Sequence, residues 1–287
     1  MENKVILFAD SSIDLSPELR ERYNVHTVPI HVILDEKTYE DGVDITSQQV
    51  FDHYRQTKQL PKTAAININD IVTALKPYVD DGYEIVYISL GSGLSSSFRN
   101  SCLASEELDG KVYPVDSCSL STGAGLLAIE AAERIAQGMS AKQVAEEVTA
   151  LNQYNHASFV LDTLEFLRAG GRCSALAAFG ANLLGLKPSI KVFNDQNGAM
   201  GVGKKYRGKL EKVIFEYIDD TLAEYDNIKT DRAFVTYSTM DADLVKKVYD
   251  YVEQKGIFKE IFITTASGTI SSHCGPNTLG VLFMTNS

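Results

Sequence analysis

Cysteine is scarce in this sequence, and its spacing excludes two common kinds of site. The chain of 287 residues has only four cysteines, and no two of them form a CxxC pair. Zinc knuckles and thioredoxin-like redox sites both require such a pair. Scattered cysteines in a chain of this length are typical of reduced cytosolic thiols. We therefore expect neither a metal site nor a bound cofactor.

Basic residues and long apolar runs are also scarce in this sequence. The 27 Lys and Arg residues are outnumbered by 38 Asp and Glu residues, so the net charge is −11. Nucleic acids and anionic membranes select basic surfaces, so both are poor partners for this chain. No apolar run approaches the ~20 residues that span a bilayer, and the N-terminus lacks the pattern of a signal peptide. These absences predict a cytoplasmic protein whose membrane contact would be transient at most.

Strands and helices alternate through the first half of the sequence. This βαβ rhythm predicts a parallel sheet with helices on its faces, in an N-terminal α/β domain of residues 1–155. Capping signals at Ser16, Thr46 and Ser140 mark three helix starts. The predicted strands are residues 5–10, 25–34, 84–90 and 111–116. One predicted helix begins at Pro17. The others cover residues 47–56, from 69 or 70 to 82, 97–108, 122–137 and 140–153.

The second half has a different pattern, which predicts a mixed α+β domain of residues 156–287. Residues 194–198, Asn-Asp-Gln-Asn-Gly, separate two short strands and predict a β-hairpin. The last strand could return to the domain interface, where we expect a ligand tunnel. The predicted strands are residues 158–162, 189–193, 200–205, 233–237, 260–265 and 279–284. The predicted helices are residues 164–184, broken at Gly170 and Gly171, then 209–225 and 242–255.

A glycine–serine turn at residues 91–97, Gly-Ser-Gly-Leu-Ser-Ser-Ser, joins a predicted strand to a helix. We call it the serine turn. It falls at the carboxyl edge of the predicted sheet, where ligands bind in doubly wound folds. Helix-start amides and the hydroxyls of Ser95, Ser96 and Ser97 could hold an anion there. A serine that merely caps the helix explains the pattern equally well.

An enzymatic interpretation of the same residues is open. A serine esterase or thioesterase could use Ser95, His273 and an aspartate, either Asp10 or Asp116. The serine turn lacks the second glycine of the G-x-S-x-G elbow. Gly123-Ala-Gly-Leu-Leu-Ala128 matches a dinucleotide fingerprint only loosely, and helix packing through small residues explains it better. His273, beside a Gly-Pro turn, could also be an ordinary loop histidine.

Basic residues are concentrated between Arg168 and Lys212. This segment has nine basic and two acidic residues within a chain that is acidic as a whole. A solvated face would explain such a segment, and so would a docking surface for an acidic partner. The docking hypothesis centres on Lys204, Lys205 and Arg207.

Several short motifs, in their order along nearly the whole chain, resemble those of the DegV family. Each motif is weak alone, and together they are specific. They read Phe8-Ala-Asp-Ser-Ser12, Pro29-Ile30, Tyr39-Glu-Asp-Gly-Val-Asp44, Pro61-Lys-Thr63, Ser92-Gly-Leu-Ser95, Val115-Asp-Ser117, Leu161-Asp-Thr-Leu-Glu-Phe-Leu167, Gly170-Gly-Arg172, Lys205-Tyr-Arg-Gly208, His273-Cys-Gly-Pro276 and Leu279-Gly280.

The resemblance implies a long-chain fatty acid bound in a tunnel between two domains. It implies that Thr63, Ser95 and His273 hold the carboxylate, with Ser96 and Arg172 in support. It also implies no catalytic residue in this chain, because a separate ATP-binding kinase subunit would phosphorylate the bound acid. A lipid carrier or sensor without a kinase is the further alternative.

The sequence departs from the family pattern after Thr63. The family continues with Ser-Gln-Pro-Ser, whereas this chain has Ala64-Ala-Ile-Asn67. The departure removes polar groups near the headgroup and leaves the Thr63 hydroxyl in place. Residues 159–166 and 175–186 could line the tunnel, although core packing would explain these apolar residues as well.

Overall fold

A computed structural model describes residues 4–174 and 185–286 of the chain. Over these residues the strands are β1 Val5–Asp10, β2 Val25–Val28, β3 His31–Leu34, β4 Lys37–Glu40, β5 Lys62–Ala64, β6 Glu84–Ser89, β7 Val112–Asp116, β8 Asn155–His156, β9 Ser158–Val160, β10 Leu186–Phe193, β11 Ala199–Arg207, β12 Ile228–Tyr237, β13 Glu260–Thr265 and β14 Leu279–Thr285. The α-helices are α1 Pro17–Arg22, α2 Ser47–Thr57, α3 Ile68–Asp80, α4 Ser97–Glu107, α5 Ser121–Ala136, α6 Ala141–Ala150, α7 Glu165–Gly170, α8 Leu210–Ala223, α9 Ala242–Gln254 and α10 Gly268–Cys274.

The first sheet is parallel, as the βαβ rhythm predicts. Its strand order is β2-β1-β6-β7, and every pairing within it is parallel. Burial on both faces explains why β1 and β6 are nearly continuous apolar runs. All three strands β1, β6 and β7 end at one edge, which therefore carries Asp10, Asp116 and the serine turn.

The larger sheet is mixed, and it confirms the α+β expectation for the second half. Its order is β11-β10-β9-β14-β12-β13, with β8 also paired to β14. The β10–β11 pair is the predicted hairpin, joined by a loop of residues 194–198. The last strand, β14, lies in the middle of this sheet between β9 and β12, and it is buried along its whole length.

A small third sheet corrects the predicted strand of residues 25–34. That segment forms two strands, β2 in the parallel sheet and β3 in an antiparallel sheet of order β4-β3-β5. Pro29 separates them, because proline has no N–H to continue a ladder. The strands β4 and β5 were not predicted from the sequence. They are only four and three residues long and lack a clear alternation of apolar side chains.

The predicted helix caps are confirmed at Ser16, Thr46 and Ser140. Thr46 and Ser140 each form a complete capping box. The start of α3 was predicted one or two residues late, because the Asn67 side chain accepts a hydrogen bond from the Asp70 N–H and caps the helix. The helix expected to reach residue 153 ends at Ala150, and a 3-10 turn follows.

The helix α10 was missing from the prediction. The sequence placed His273 in a turn, whereas it occupies the last turn of α10. The short helix starts with Gly-Thr and is rich in serine, so its composition resembles a loop. The predicted helix of residues 164–184 is helical over α7, and Gly171 ends it with φ +67°. Its remainder at residues 175–184, and most of the tunnel candidates at 175–186, lie outside the described residues.

The strands of the parallel sheet all precede residue 155, and those of the larger mixed sheet begin at Asn155, so β8 spans the predicted boundary between residues 155 and 156. Helix α5 contacts both, packing on β1 and β6 and also on β12 and β14. Small residues let α5 pack closely on its neighbours: a Cβ at Gly125 would lie 2.7 Å from the carbonyl oxygen of Ile13, in the 3-10 turn that follows β1. The division into 1–155 and 156–287 remains our prediction.

Candidate functional site

The five predicted ligand residues meet at one cavity. A space of about 120 Å³ lies between β5, the serine turn and α10. Its walls include Thr63, Ser95, Ser96, Arg172 and His273. The tertiary structure thus brings together residues that are as far apart as 210 positions in the chain. We call this space the polar cavity.

A hydrogen bond joins Thr63 to His273 at this cavity. Thr63 Oγ1 and His273 Nε2 are 2.7 Å apart. Thr63 is held in register on β5 opposite Val32 of β3, while α10 presents the imidazole from the other side. The pair therefore forms one polar group built from two distant segments of the chain.

The imidazole of His273 is electrically neutral at ordinary pH. Burial disfavours its charged form, and the Arg172 guanidinium adds repulsion, so the pKa of His273 falls to about 4. Its Nδ1 is buried, and no described residue forms a hydrogen bond with it. This nitrogen faces Gly170, where an added Cβ would overlap it. The Gly170-Gly171-Arg172 motif is thus explained in part by the room that the His273 ring needs.

Two buried carboxylates hold the helix that carries His273. Asp41 accepts hydrogen bonds from the N–H groups of Gly268 (2.8 Å) and Thr269 (3.0 Å). Asp14 accepts one from the N–H of Ser267 at 3.0 Å. Burial raises the pKa of both carboxyls, that of Asp14 to about 7. These carboxylates satisfy amides that the short helix leaves unpaired at its start.

This role of Asp41 and Asp14 was not predicted from the sequence. Asp41 stood in the Tyr39–Asp44 motif without an assigned function, and Asp14 was in no motif. No local pattern marks Asp41 for this role, since an aspartate in a turn is expected to bond backbone groups close to it in sequence. Only the fold shows that the amides belong to residues 227 and 228 positions away.

The Asp116 carboxylate fixes the backbone near the start of the serine turn. Its Oδ1 accepts hydrogen bonds from the N–H of Ser92 (3.0 Å) and the N–H of Cys118 (2.9 Å). Within the turn, Ser95 Oγ accepts the Ser97 N–H at 3.2 Å and lies 3.0 Å from Ser97 Oγ. Ser96 is exposed at the helix N-cap, and its side chain forms no capping hydrogen bond with a described residue. The turn therefore presents hydroxyls to the polar cavity from a backbone that hydrogen bonds hold in place.

The geometry does not assemble a hydrolase triad from the residues proposed for one. His273 Nε2 is hydrogen-bonded to Thr63, and within the described part of the chain no acid orients its Nδ1. Asp10 accepts instead from Tyr87 Oη and the Leu90 N–H. Asp116 binds backbone amides. A nucleophile requires a base that is itself oriented by a third group, and the described residues around Ser95 do not provide that chain.

A second, apolar cavity adjoins the polar one. It has a volume of about 50 Å³ and shares four lining residues with the polar cavity: Leu120, Met200, Ile270 and His273. Phe159 and Leu167 add to its apolar wall. Several hydroxyls also reach it, but other groups already bond them; for example, Thr236 Oγ1 lies 2.6 Å from Thr122 Oγ1 and 2.9 Å from Thr264 Oγ1. The wall therefore offers a ligand mainly carbon.

The proposed docking residues lie on β11, at one edge of the larger sheet. Lys204, Lys205 and Arg207 are all exposed. Lys204 forms an ion pair with Asp220 of α8 at 2.6 Å, and Tyr206 Oη also donates to Asp220. Because side chains alternate along a strand, Lys205 and Arg207 point to the face opposite that pair. The three residues therefore do not form a single patch.

Acidic residues elsewhere in the fold also neutralise part of the basic segment. Lys191 and Lys212 form ion pairs with Glu224 and Glu216, and Lys187 pairs with Asp162. The excess of positive charge seen along the sequence is therefore smaller in space. Over the described residues, no helix combines the length and apolar character needed to cross a membrane.

Comparison with known proteins places these features in a family. Residues 4–286 match a family model described as "Uncharacterised protein, DegV family". A DegV domain-containing protein of Clostridium perfringens is 26% identical over 287 residues, covering 98% of this chain and 99% of that protein. A Staphylococcus aureus counterpart is 28% identical over 288 residues, with the same coverage.

Solved structures share the fold over almost the full length. A DegV family protein from Thermus thermophilus, described for its fatty acid binding, is 28% identical with a TM-score of 0.89, covering 99% of this chain and 100% of that one. The Streptococcus pneumoniae Fatty Acid Kinase (Fak) B3 protein, loaded with linoleic acid, is 20% identical with a TM-score of 0.82, covering 99% and 100%. At that identity it shows the likeness in fold alone. The family match, the motifs and the two-domain α/β fold agree: this chain belongs to the DegV family.

Proposed function

We propose that this protein binds a long-chain fatty acid, with the carboxylate in the polar cavity and the acyl chain in the apolar one. The observation that carries the proposal is the junction of the two cavities at His273. There, the hydrogen-bonded Thr63–His273 pair and Ser95 stand at the polar end, and a carbon-lined space begins directly behind them. The fatty acid binding described for the Thermus thermophilus relative supports the same ligand.

The acyl chain would supply most of the binding free energy. Burying about 15 methylenes offers roughly 12 kcal/mol at ~0.8 kcal/mol each. Loss of translation and ordering of the chain consume several kcal/mol of this. The headgroup must only avoid a buried carboxylate without partners. Those partners are available from the hydroxyls of Thr63 and Ser95, from the His273 imidazole and from the serine turn.

Binding requires the shared wall between the cavities to move. Together they are smaller than the ~300 Å³ at which pockets for drug-sized ligands begin. Met200 is part of the wall, and its unbranched thioether side chain repacks at low cost. Replacement of the family's polar loop by Ala64 and Ala65, which both line the polar cavity, also leaves fewer polar partners near the headgroup.

Mass spectrometry of an organic extract from the purified, denatured protein tests this proposal. We expect a long-chain fatty acid in roughly stoichiometric amount. If the protein emerges empty, it should take up added oleate or palmitate. Protein that carries no lipid and takes up neither acid would contradict the proposal.

We further propose that the bound acid is presented to a separate ATP-binding kinase subunit, with no catalytic residue in this chain. Neutral donors suit this role, because they leave the carboxylate oxygens freer to accept a phosphoryl group than a bidentate salt bridge would. Replacing His273 with Ala should leave lipid bound and slow its phosphorylation. Unchanged turnover with the kinase subunit from the same genome would rule out this role of His273.

Docking of that subunit is proposed at Lys205 and Arg207, which share the exposed face of β11. Reversing both charges, Lys205→Glu with Arg207→Glu, should weaken complex formation, most strongly at low salt where charge attraction is least screened. Lys142→Glu on α6 is the matched control, since Lys142 is a highly exposed lysine on a different element. Equal binding by the double variant and the control would remove this surface from consideration.

A further inference from the structure

The loop that joins β10 to β11 lies directly against the serine turn. We call this loop, residues 194–198, the hairpin tip. The Gly93 N–H donates a hydrogen bond to the Asn197 carbonyl oxygen at 2.8 Å. A Cβ at Gly93 would lie 2.9 Å from that oxygen, and one at Gly91 would lie 3.0 Å from it. The two backbones therefore touch, and only glycine fits at the contact.

The hairpin tip is itself firmly anchored. The Asn194 side-chain amide donates hydrogen bonds to the carbonyls of Asn152 and Asn155. On its other side, Gly198 packs against Cys118 so closely that a Cβ there would lie 3.0 Å from the Cys118 carbonyl carbon. The tip is thus a fixed surface rather than a free loop.

The serine turn is held between two supports. Asp116 binds the N–H of Ser92 on one side, and the hairpin tip binds Gly93 on the other. From Gly93 the chain turns tightly, with the N–H groups of Leu94 and Ser95 both donating to the Gly91 carbonyl, at 2.8 and 3.2 Å. A displacement of Gly93 therefore moves Ser95, which is two residues further along.

We propose that the hairpin tip is a positioning element for the ligand's headgroup. It sets the place of the Ser95 hydroxyl relative to the Thr63–His273 pair, without touching the ligand itself. This inference rests on the proposed function, because it assumes that Ser95 meets a carboxylate. Its physical basis is that a hydrogen bond weakens steeply once its donor and acceptor leave good geometry.

The test compares a fatty acid with the alcohol of the same chain. Delipidated protein is titrated with oleate and with oleyl alcohol, each in competition with one fluorescent lipid. The ratio of the two affinities reports the headgroup, because both ligands bury the same tail. In Gly93→Ala we expect the preference for oleate to fall roughly tenfold, the equivalent of about one lost hydrogen bond, with oleyl alcohol affinity unchanged.

Two further variants keep the test decisive. Asp195→Ala changes an exposed side chain on the same loop and should keep the wild-type preference. Asn194→Ala releases the tip from Asn152 and Asn155 without adding atoms at the contact, and should reduce the preference in the same direction. If Gly93→Ala fails to fold, Asn194→Ala alone tests the positioning role of the hairpin tip.

The outcomes separate this inference from the proposed function. Wild-type protein that binds neither ligand contradicts the proposed function itself. Wild-type protein that prefers oleate, with Gly93→Ala and Asn194→Ala keeping that preference, overturns the positioning role alone. Equal loss of both ligands in the folded variants also overturns it, because that pattern indicates general loosening.

Discussion

At the scale of single residues, His273 depends on neighbours that are remote in sequence. Its Nε2 is bonded to Thr63, its Nδ1 faces Gly170, and Arg172 lies close enough to lower its pKa. Thr63 belongs to one short motif, and Gly170 and Arg172 belong to another. Both motifs place residues around the same imidazole. Burial keeps this imidazole neutral.

The neutrality of His273 predicts a pH dependence with a defined sign. Its pKa is about 4 in the folded chain and 6.5 ordinarily, so between these values the unfolded chain binds more protons. The histidine therefore contributes stability above pH 6.5 that is lost as the pH falls toward 4. Replacing it with Gln should reduce the stability lost between pH 7 and pH 5 by roughly 1–2 kcal/mol.

Urea unfolding of the parent and His273→Gln at both pH values measures this effect. Asp10 and Asp14 act in the opposite direction, because burial raises their pKa to about 6 and about 7. Taking the difference between variant and parent cancels their contribution. Parallel losses of stability in both proteins would contradict a buried, neutral His273.

At the scale of elements, α10 exists because other parts of the chain complete it. Its seven residues are too few for a helix to be stable alone. Ser267 caps it through the Ile270 N–H, and Asp41 and Asp14 bind further amides at its start. The element was invisible to local sequence patterns because its stabilising partners are not local.

Removing Asp41 should therefore destabilise the fold more than removing a similar residue nearby. Asp41→Ala leaves the N–H groups of Gly268 and Thr269 buried without partners, at a cost of roughly 2 kcal/mol or more. The control, Asp44→Ala, removes an exposed carboxylate in the same motif that accepts one N–H, from Glu40. We expect the control to cost about 1 kcal/mol or less, and urea unfolding compares the two.

A similar stability of Asp41→Ala and Asp44→Ala would contradict the capping role. If capping is correct, the Asp41 variant should also lose fatty acid affinity, since a frayed α10 no longer holds Ile270, His273 and Cys274 in the wall of the apolar cavity. Asp41→Ala should thus lower both stability and affinity, whereas Asp44→Ala should lower stability only slightly and leave the affinity unchanged.

At the scale of the whole molecule, an ion-pair network ties helix α5 to strand β12. Glu130 of α5 binds Lys229 of β12 and Arg134 of its own helix, and Arg232 of β12 binds Glu133. Burial alone would raise the pKa of Glu130, but the hydrogen bonds from Lys229 and Arg134 outweigh it and lower the pKa. The network joins the two halves of the chain, and none of its residues lines the polar cavity.

Breaking this network should cost more than breaking an exposed pair. Glu130→Gln leaves two partly buried cations without their carboxylate, and we expect a loss of roughly 2–4 kcal/mol in the free energy of unfolding. Glu146→Gln on α6 disrupts the pair with Lys142, whose side chains are 65% and 71% exposed, and should cost less than about 1 kcal/mol. Thermal or urea unfolding gives the comparison; equal effects would show that the network adds nothing to the junction.

The sequence by itself determined the elements whose signals are local. Capping residues fixed the starts of α1, α2 and α6, apolar runs predicted β1 and β6, and the Asn-Asp-Gln-Asn-Gly loop predicted the β10–β11 hairpin. Motifs along the chain indicated the family and nominated Thr63, Ser95 and His273. These features are encoded within a few residues, so pattern and propensity suffice to find them.

The tertiary structure alone decided how those residues meet. It placed His273 on a helix rather than in a turn, held by Asp41 more than 200 positions away. It set the hairpin tip against the serine turn through glycine contacts, and it paired Lys204 of β11 with Asp220 of α8. The physical reason is common to all three: each depends on a hydrogen bond, a close backbone approach or an ion pair between segments that local sequence cannot relate.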